Sequence, residues 1–201
     1  MREVLTRIIL AISGSILIVF LIIHLCGLAL ALIDPSRFEL YATTLHSASW
    51  MTSLELFLIV VAMIHIFLTF AKVISNFKAG NLSVLSSRRK DVLGVFASRS
   101  QALGGVSLLT FLVIHLQQLR FPRPADGLEL STVHVFLQSP ITLMIYCLGS
   151  LSLFLHLFHG IESSHRSLGV LTPENASLIR GVGRSLSLSL GIGFVLVTFF
   201  L

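Results

Sequence analysis

The chain has 201 residues, 55% of them hydrophobic and only 11% charged, with a mean hydropathy of +0.95; a soluble domain carries about a quarter charged residues. This composition excludes most enzyme classes acting on water-soluble substrates, and the net charge of +5 reads as the basic surface of a membrane protein, with no nucleic-acid partner. Five spans of about 20 residues would use half the chain, leaving room only for short connections, so 1–201 is one transmembrane domain in contact with lipid.

Long apolar runs between charges predict five helices. The first runs from Ile8 to Ile33. Arg2 and Arg7 precede it as they would a signal peptide, but its apolar core far exceeds an h-region of about 7–15 residues, so it is a retained helix. The second runs from Trp50 to Phe77, with Trp50 and Tyr41 suited to an interfacial belt. The third is Gln101 to Leu119, the fourth Pro140 to Gly160, and the last, short and rich in Ser and Gly, about Leu186 to Leu201. Cys26 and Cys147 both lie in apolar runs without CxxC or CxxCH spacing, which gives no support to a metal cluster, a c-type haem or a disulfide framework.

Basic residues set the expected orientation, because short basic segments are retained on the cytoplasmic side. The N-terminus carries Arg2 and Arg7, the second connection Lys72, Lys78, Arg88, Arg89, Lys90 and Arg99, and the fourth Arg166, Arg180 and Arg184. Only Arg37, Arg120 and Arg123 remain for the other side. The N-terminus is therefore expected in the cytoplasm and the C-terminus outside.

Helices I and III share a pattern. Gly14-x5-Phe20-Leu21-x-Ile23-His24-Leu25 matches Gly105-x5-Phe111-Leu112-x-Ile114-His115-Leu116 at six positions. His24 and His115 are 91 residues apart, and so are His65 and His156. At 1.5 Å per residue, His24 is about 25 Å from Arg7 and His115 about 24 Å from Arg99, whereas His65 is about 10 Å from Lys72 and His156 about 9 Å from Glu162. Depth thus pairs His24 with His115 near the outer face and His65 with His156 near the inner face.

An imidazole in hydrocarbon needs a partner, and intramembrane ionisable residues point to function. One such histidine is ordinarily a satisfied core residue. Four, in two level-matched pairs within a bundle, point to two b-type haems, because each iron takes two opposed imidazole nitrogens. With both axial positions filled, such haems transfer electrons. Helices I–IV would form the haem-binding bundle of an all-α membrane protein. Gly14 and Gly105 would let a porphyrin or a neighbouring helix approach, or serve as small-residue packing positions. Structural zinc is disfavoured, because the four histidines fall at two levels about 15 Å apart.

The ordered set of motifs resembles the single-chain, five-helix, di-haem cytochrome b anchor of succinate:quinone oxidoreductases and fumarate reductases, respiratory complex II. The resemblance rests on Gly14-x9-His24, Leu54-Glu55 before Met63-Ile64-His65, Ser98-Arg99 before Gly105-x9-His115, Pro140, Tyr146, and His156-Leu157-Phe158-His159-Gly160-Ile161-Glu162-Ser163. It implies two haem b groups, with His24 and His115 on the outer iron and His65 and His156 on the inner. It further implies a flavoprotein subunit and an iron-sulfur subunit docked on the cytoplasmic face of a bacterial inner membrane. Electrons would pass between the iron-sulfur partner and membrane quinone, menaquinone or ubiquinone.

Further candidates follow from position. Arg99, Arg166 and Lys72 sit at the inner rim, where haem propionates seek cations and where positive-inside topology also places them. His134 is an outer-side propionate candidate in the third loop. His159, one turn after His156, suits a propionate, a quinone or the interface. Glu55, the only carboxylate well inside an apolar run, is a candidate proton relay or a snorkelling carboxylate, and His46 in the first loop is a candidate quinone-site residue. The competing functions are the cytochrome b subunit of a hydrogenase or formate dehydrogenase and a haem-free transporter lined by histidines.

Overall fold

The computed structural model describes residues 2–80, 91–122 and 127–201. Arg88, Arg89, Lys90 and Arg123, which entered the orientation argument, lie outside the described residues. Among those described, the chain is entirely helical, without strands. Five helices are long and apolar enough to cross a membrane, which makes this a multi-pass membrane protein. They are α1 (Arg2–Ile33), α3 (Met51–Lys78), α5 (Gln101–His115) together with the helical turn that continues it to Arg120, α7 (Pro140–Ser167) and α8 (Ala176–Phe200). Between them lie three short helices, α2 (Pro35–Ser47), α4 (Val92–Arg99) and α6 (Glu129–Leu137). The near end of the bundle is the one where α1 begins, and the far end is the one where it finishes.

Two expectations are corrected. The last span starts at Ala176 rather than Leu186, because polar Ser177, Arg180 and Arg184 are carried on the first turns of the same helix. The segments holding His46 and His134 are helices rather than loops. Their starts are locally encoded: in α2, Asp34 accepts the Arg37 amide at 3.1 Å and Pro35 occupies the first turn, where it forfeits no hydrogen bond. Asp91 caps α4 in the same way, through the Gly94 amide at 3.0 Å.

Large apolar side chains cover the outside of the bundle, among them Phe67, Leu103, Leu56 and Ile23; in lipid this is the favourable side for them. Inside, association depends on close packing rather than on hydrophobic exclusion. The tightest contact is between α7 and α8. Gly183, Ser187 and Gly191 recur every four residues on α8, and a Cβ at Gly183 or Gly191 would come within 2.9 Å of Ile161 or 2.8 Å of Phe154. Leu153, Leu157, Ile161 and Leu190 form the buried core there, with Ile18, Leu21 and Leu25 of α1 packed against it. The fifth helix is thus central to the bundle.

Candidate functional site

The four membrane-embedded histidines lie in two facing pairs. The rings of His24 (α1) and His115 (α5) are 6.0 Å apart between centroids, and those of His65 (α3) and His156 (α7) are 6.3 Å apart. These are the pairs expected from helix depth.

Each member of the first pair carries the ring that precedes it by one turn. Phe20 stacks on His24 at 5.4 Å and Phe111 stacks on His115 at 5.5 Å. The Phe–His spacing common to helices I and III is therefore an i,i+4 stacking contact used twice. Phe194 of α8 adds a third ring, 6.1 Å from His24; the last helix had no place in the expected site.

Hydroxyl groups contact two of the imidazoles. The Tyr146 hydroxyl is 3.2 Å from both Gln118 Oε1 and His115 Nδ1, and the Ser13 hydroxyl is 3.1 Å from both the Leu10 carbonyl and His65 Nδ1. A hydroxyl that gives its one proton to the oxygen accepts from the imidazole, which puts the ring proton on Nδ1 and the lone pair on Nε2. That tautomer is the form that binds a metal, with the other nitrogen held by a second group. His156 Nδ1 is buried and has no hydrogen-bond partner among the described residues, while the His156 carbonyl accepts from Gln101 Nε2 at 3.1 Å.

The backbone changes character at the same place. Immediately after His115 the helix continues as a π-helical turn, Leu116–Arg120. The widened turn puts Gln118 under Tyr146 and sends Arg120 to Glu55. Such turns occur frequently at functional sites, and nothing in the local sequence announces this one.

The glycines matched in the repeat differ. A Cβ at Gly14 would lie 3.2 Å from His65 Cε1, so what this glycine admits is the imidazole of the other pair; at Gly105 nothing lies within 4 Å.

The remaining candidates sit around these pairs. Glu55 is ion-paired with Arg120. Arg99 and His134 are found at the end of α4 and on α6. Arg166 bonds to the buried Glu162 at 2.9 Å, which also holds Arg180 at 3.8 Å. His159 is half-buried and close enough to act electrostatically on His156. At the far end, His46 Nδ1 is 3.2 Å from Glu129 Oε1, in ion-pair range but off-line for a hydrogen bond. Glu39 accepts the backbone amides of Leu130 at 2.9 Å and Glu129 at 3.3 Å, tying α2 to α6. Burial, and then the carboxyl–carboxylate contact with Glu129, push Glu39 above the usual glutamate range. Burial also works to raise Glu129, but the hydrogen bond with Glu39, its own amide and that of Gly127, and the charge of His46 bring it below that range.

The described residues contain no group of three or more His, Cys, Asp or Glu side chains able to hold a metal ion. Each histidine pair has two imidazoles to offer a metal. Two imidazoles bound to one metal from opposite sides, with metal–nitrogen bonds of about 2 Å, have ring centroids about 6 Å apart, which matches both pairs. The interplanar angles of 80° and 67° are compatible with this, because each ring need only contain the ligand axis. No family model matches the chain, and neither a curated protein nor a solved structure is detectably similar to it.

Proposed function

We propose that the chain is a di-haem b electron-transfer subunit, the membrane anchor of a succinate:quinone oxidoreductase or fumarate reductase. The observation that carries this is the pair of facing imidazoles at each of two depths, with ring centroids 6.0 and 6.3 Å apart and one Nδ1 of each pair in hydrogen-bond reach of a hydroxyl. His24 and His115 hold one haem, and His65 and His156 the other. A haem held by these imidazoles would supply one-electron transfer.

The chain's own residues have distinct tasks in this proposal. Ser13 and Tyr146 orient the imidazoles of His65 and His115 and keep their protons on Nδ1. Phe20, Phe111 and Phe194 surround the far pair with apolar rings and keep water from it. Quinone chemistry moves protons together with electrons. The titratable groups available for this at the far end are Glu55, held by Arg120, and His46, against Glu129. The near end carries Arg7, Lys78, Arg99, Arg180 and Arg184. We place it at the cytoplasmic face of a bacterial inner membrane, where an iron-sulfur subunit and its flavoprotein would dock, with menaquinone or ubiquinone as the membrane substrate.

The test is haem b per polypeptide by pyridine haemochrome, with low-spin ferric signals by electron paramagnetic resonance, in the wild type and in His65→Ala and His24→Ala. Two haems in the wild type and one, different in spectrum, in each variant are expected. A folded wild-type protein without haem would overturn the proposal; two intact bis-imidazole signals in either variant would overturn the pairing.

A further inference from the structure

At the near end, α1, α3 and α7 enclose a half-open cavity of 380 Å³, lined by Val4, Arg7, Lys72, Ser163, Arg166 and Ser167. Its polar lining is three cations and two hydroxyls, with no carboxylate. Arg166 is neutralised by Glu162, at 2.9 Å, which lies outside the lining. Among the described residues Arg7 reaches only Glu3, at 3.6 Å, through two exposed side chains, a contact worth little in water. Lys72 has no acidic partner among the described residues, and the charge of Arg7 acts on it across the cavity. Two cations held in one partly enclosed space repel, and the lining itself offers nothing that offsets the repulsion. A tetrahedral oxyanion would, since guanidinium, ammonium and hydroxyl groups all donate to it.

The location indicates where such an anion comes from. The cavity opens between helices at the end of the spans. From Lys72 toward the middle of the span α3 carries Phe70 and Phe67, and from Arg7 toward the middle α1 carries Ile9 and Ile12, all exposed and apolar. A ligand with an anionic head and hydrocarbon chains meets both surfaces at once, and basic pockets between membrane helices on the cytoplasmic side bind such headgroups. We infer that this cavity binds the phosphate of an anionic phospholipid, with Lys72 and Arg7 as its charged donors and Ser163 as its neutral one; the Ser167 hydroxyl already donates to the Ser163 carbonyl at 2.9 Å. None of the four paired histidines lines this cavity.

The purified full chain can be equilibrated with phosphatidylglycerol and phosphatidylcholine of equal chain length and the retained lipid read by native mass spectrometry. The wild type should retain phosphatidylglycerol preferentially. Lys72→Gln should reduce the preference about fivefold, Arg7→Gln with Lys72→Gln should bring it close to parity, and Lys72→Arg should preserve it. Arg37→Gln, a lost charge at the other end, should change nothing. Equal retention of both lipids by the wild type would overturn the inference, as would an unchanged preference in a Lys72→Gln protein of unchanged helical content. Displacement of the lipid by millimolar inorganic phosphate would assign the cavity to a free ion instead. A Lys72→Gln protein that keeps its lipid preference but shifts the absorption of bound haem would assign the cavity to porphyrin carboxylates. Either result overturns the lipid assignment.

Discussion

A methyl group at residue 14 tests the near histidine pair, His65 and His156, at its tightest point. In Gly14→Ala the new Cβ would lie 3.2 Å from Cε1 and 3.6 Å from Nδ1 of His65, so the ring has to yield by a few tenths of an ångström. It is not free to do so, because Nδ1 is held by Ser13 at 3.1 Å, a bond whose loss costs about 1 kcal/mol. Overpacking of this kind costs about 1–3 kcal/mol, against a helix-propensity gain of up to about 1 kcal/mol on replacing glycine by alanine. A net cost of about 1–2 kcal/mol is a 5- to 30-fold shift in the folding equilibrium, and a His65 ring pushed from its place should also hold haem less tightly. Gly105→Ala has the opposite expectation: nothing lies within 4 Å, only the propensity gain remains, and both haem binding and thermal stability should be equal to or above wild type. Haemin titration of the apoprotein, followed by haem per chain and by thermal unfolding, reads both quantities. If the two substitutions behave alike, in either direction, the steric argument at Gly14 fails.

Tyr146→Phe removes the hydroxyl 3.2 Å from His115 Nδ1 and should weaken haem retention at the far pair by about 10- to 100-fold, seen as haem loss on dilution; unchanged retention would show that Tyr146 does not hold the His115 ring for its ligand. Gly191→Leu places a branched side chain where even a Cβ would be 2.8 Å from Phe154, and should lower the unfolding temperature, while Gly181→Leu, with nothing within 4 Å, should leave it unchanged. Glu39 is raised on folding, so its contribution to the α2–α6 contact is complete below the ordinary glutamate value of 4.5 and declines as pH rises through its folded value. Glu129 is lowered and has the opposite sense, losing its contribution only as pH falls through its own folded value. Glu39→Gln, which cannot ionise, should flatten the decline above pH 4.5 in amide exchange at the start of α6, and a decline as steep as in the wild type would show that Glu39 does not cause it.

Hydropathy makes the five spans legible, because twenty apolar residues in a row have few other uses. The same signal is blind to where a helix ends once polar residues begin, which is why the first turns of α8, with Ser177, Arg180 and Arg184, read as a connection. The short helices α2 and α6 carry no long apolar run, although the Asp34-Pro35 start of α2 is a readable cap signal. The histidine pairs are legible because helical rise converts residue number into depth. Their hydroxyl partners are not: Ser13 is an ordinary polar residue in an apolar run, and Tyr146 reaches His115 from another helix. The π turn after His115 depends on tertiary contacts made by Gln118 and Arg120, neither of which has a local signature.

The 91-residue offset carries further than the histidines, and where it stops is informative. It relates Phe20 to Phe111, and both stack on their own histidine. It also relates Glu55 to Tyr146 and Ser13 to Gly104, and at these positions the halves diverge. Tyr146 holds His115, whereas Glu55 is held by Arg120. Ser13 holds His65, whereas Gly104 has no side chain to offer His156, whose Nδ1 stays unpartnered among the described residues. Each pair therefore combines one imidazole locked by a hydroxyl with one that is not. In a two-ligand site this division is sufficient: the locked ring defines the position and tautomer of one ligand, and the second can adjust its rotamer to close the site at the separation a metal requires. The locked and unlocked histidines should then differ on replacement of their surroundings, with Ser13→Ala acting on the near pair and Tyr146→Phe on the far pair, and neither crossing over. Haem loss at both depths from either single substitution would mean that the two sites are coupled through the bundle rather than built as separate units.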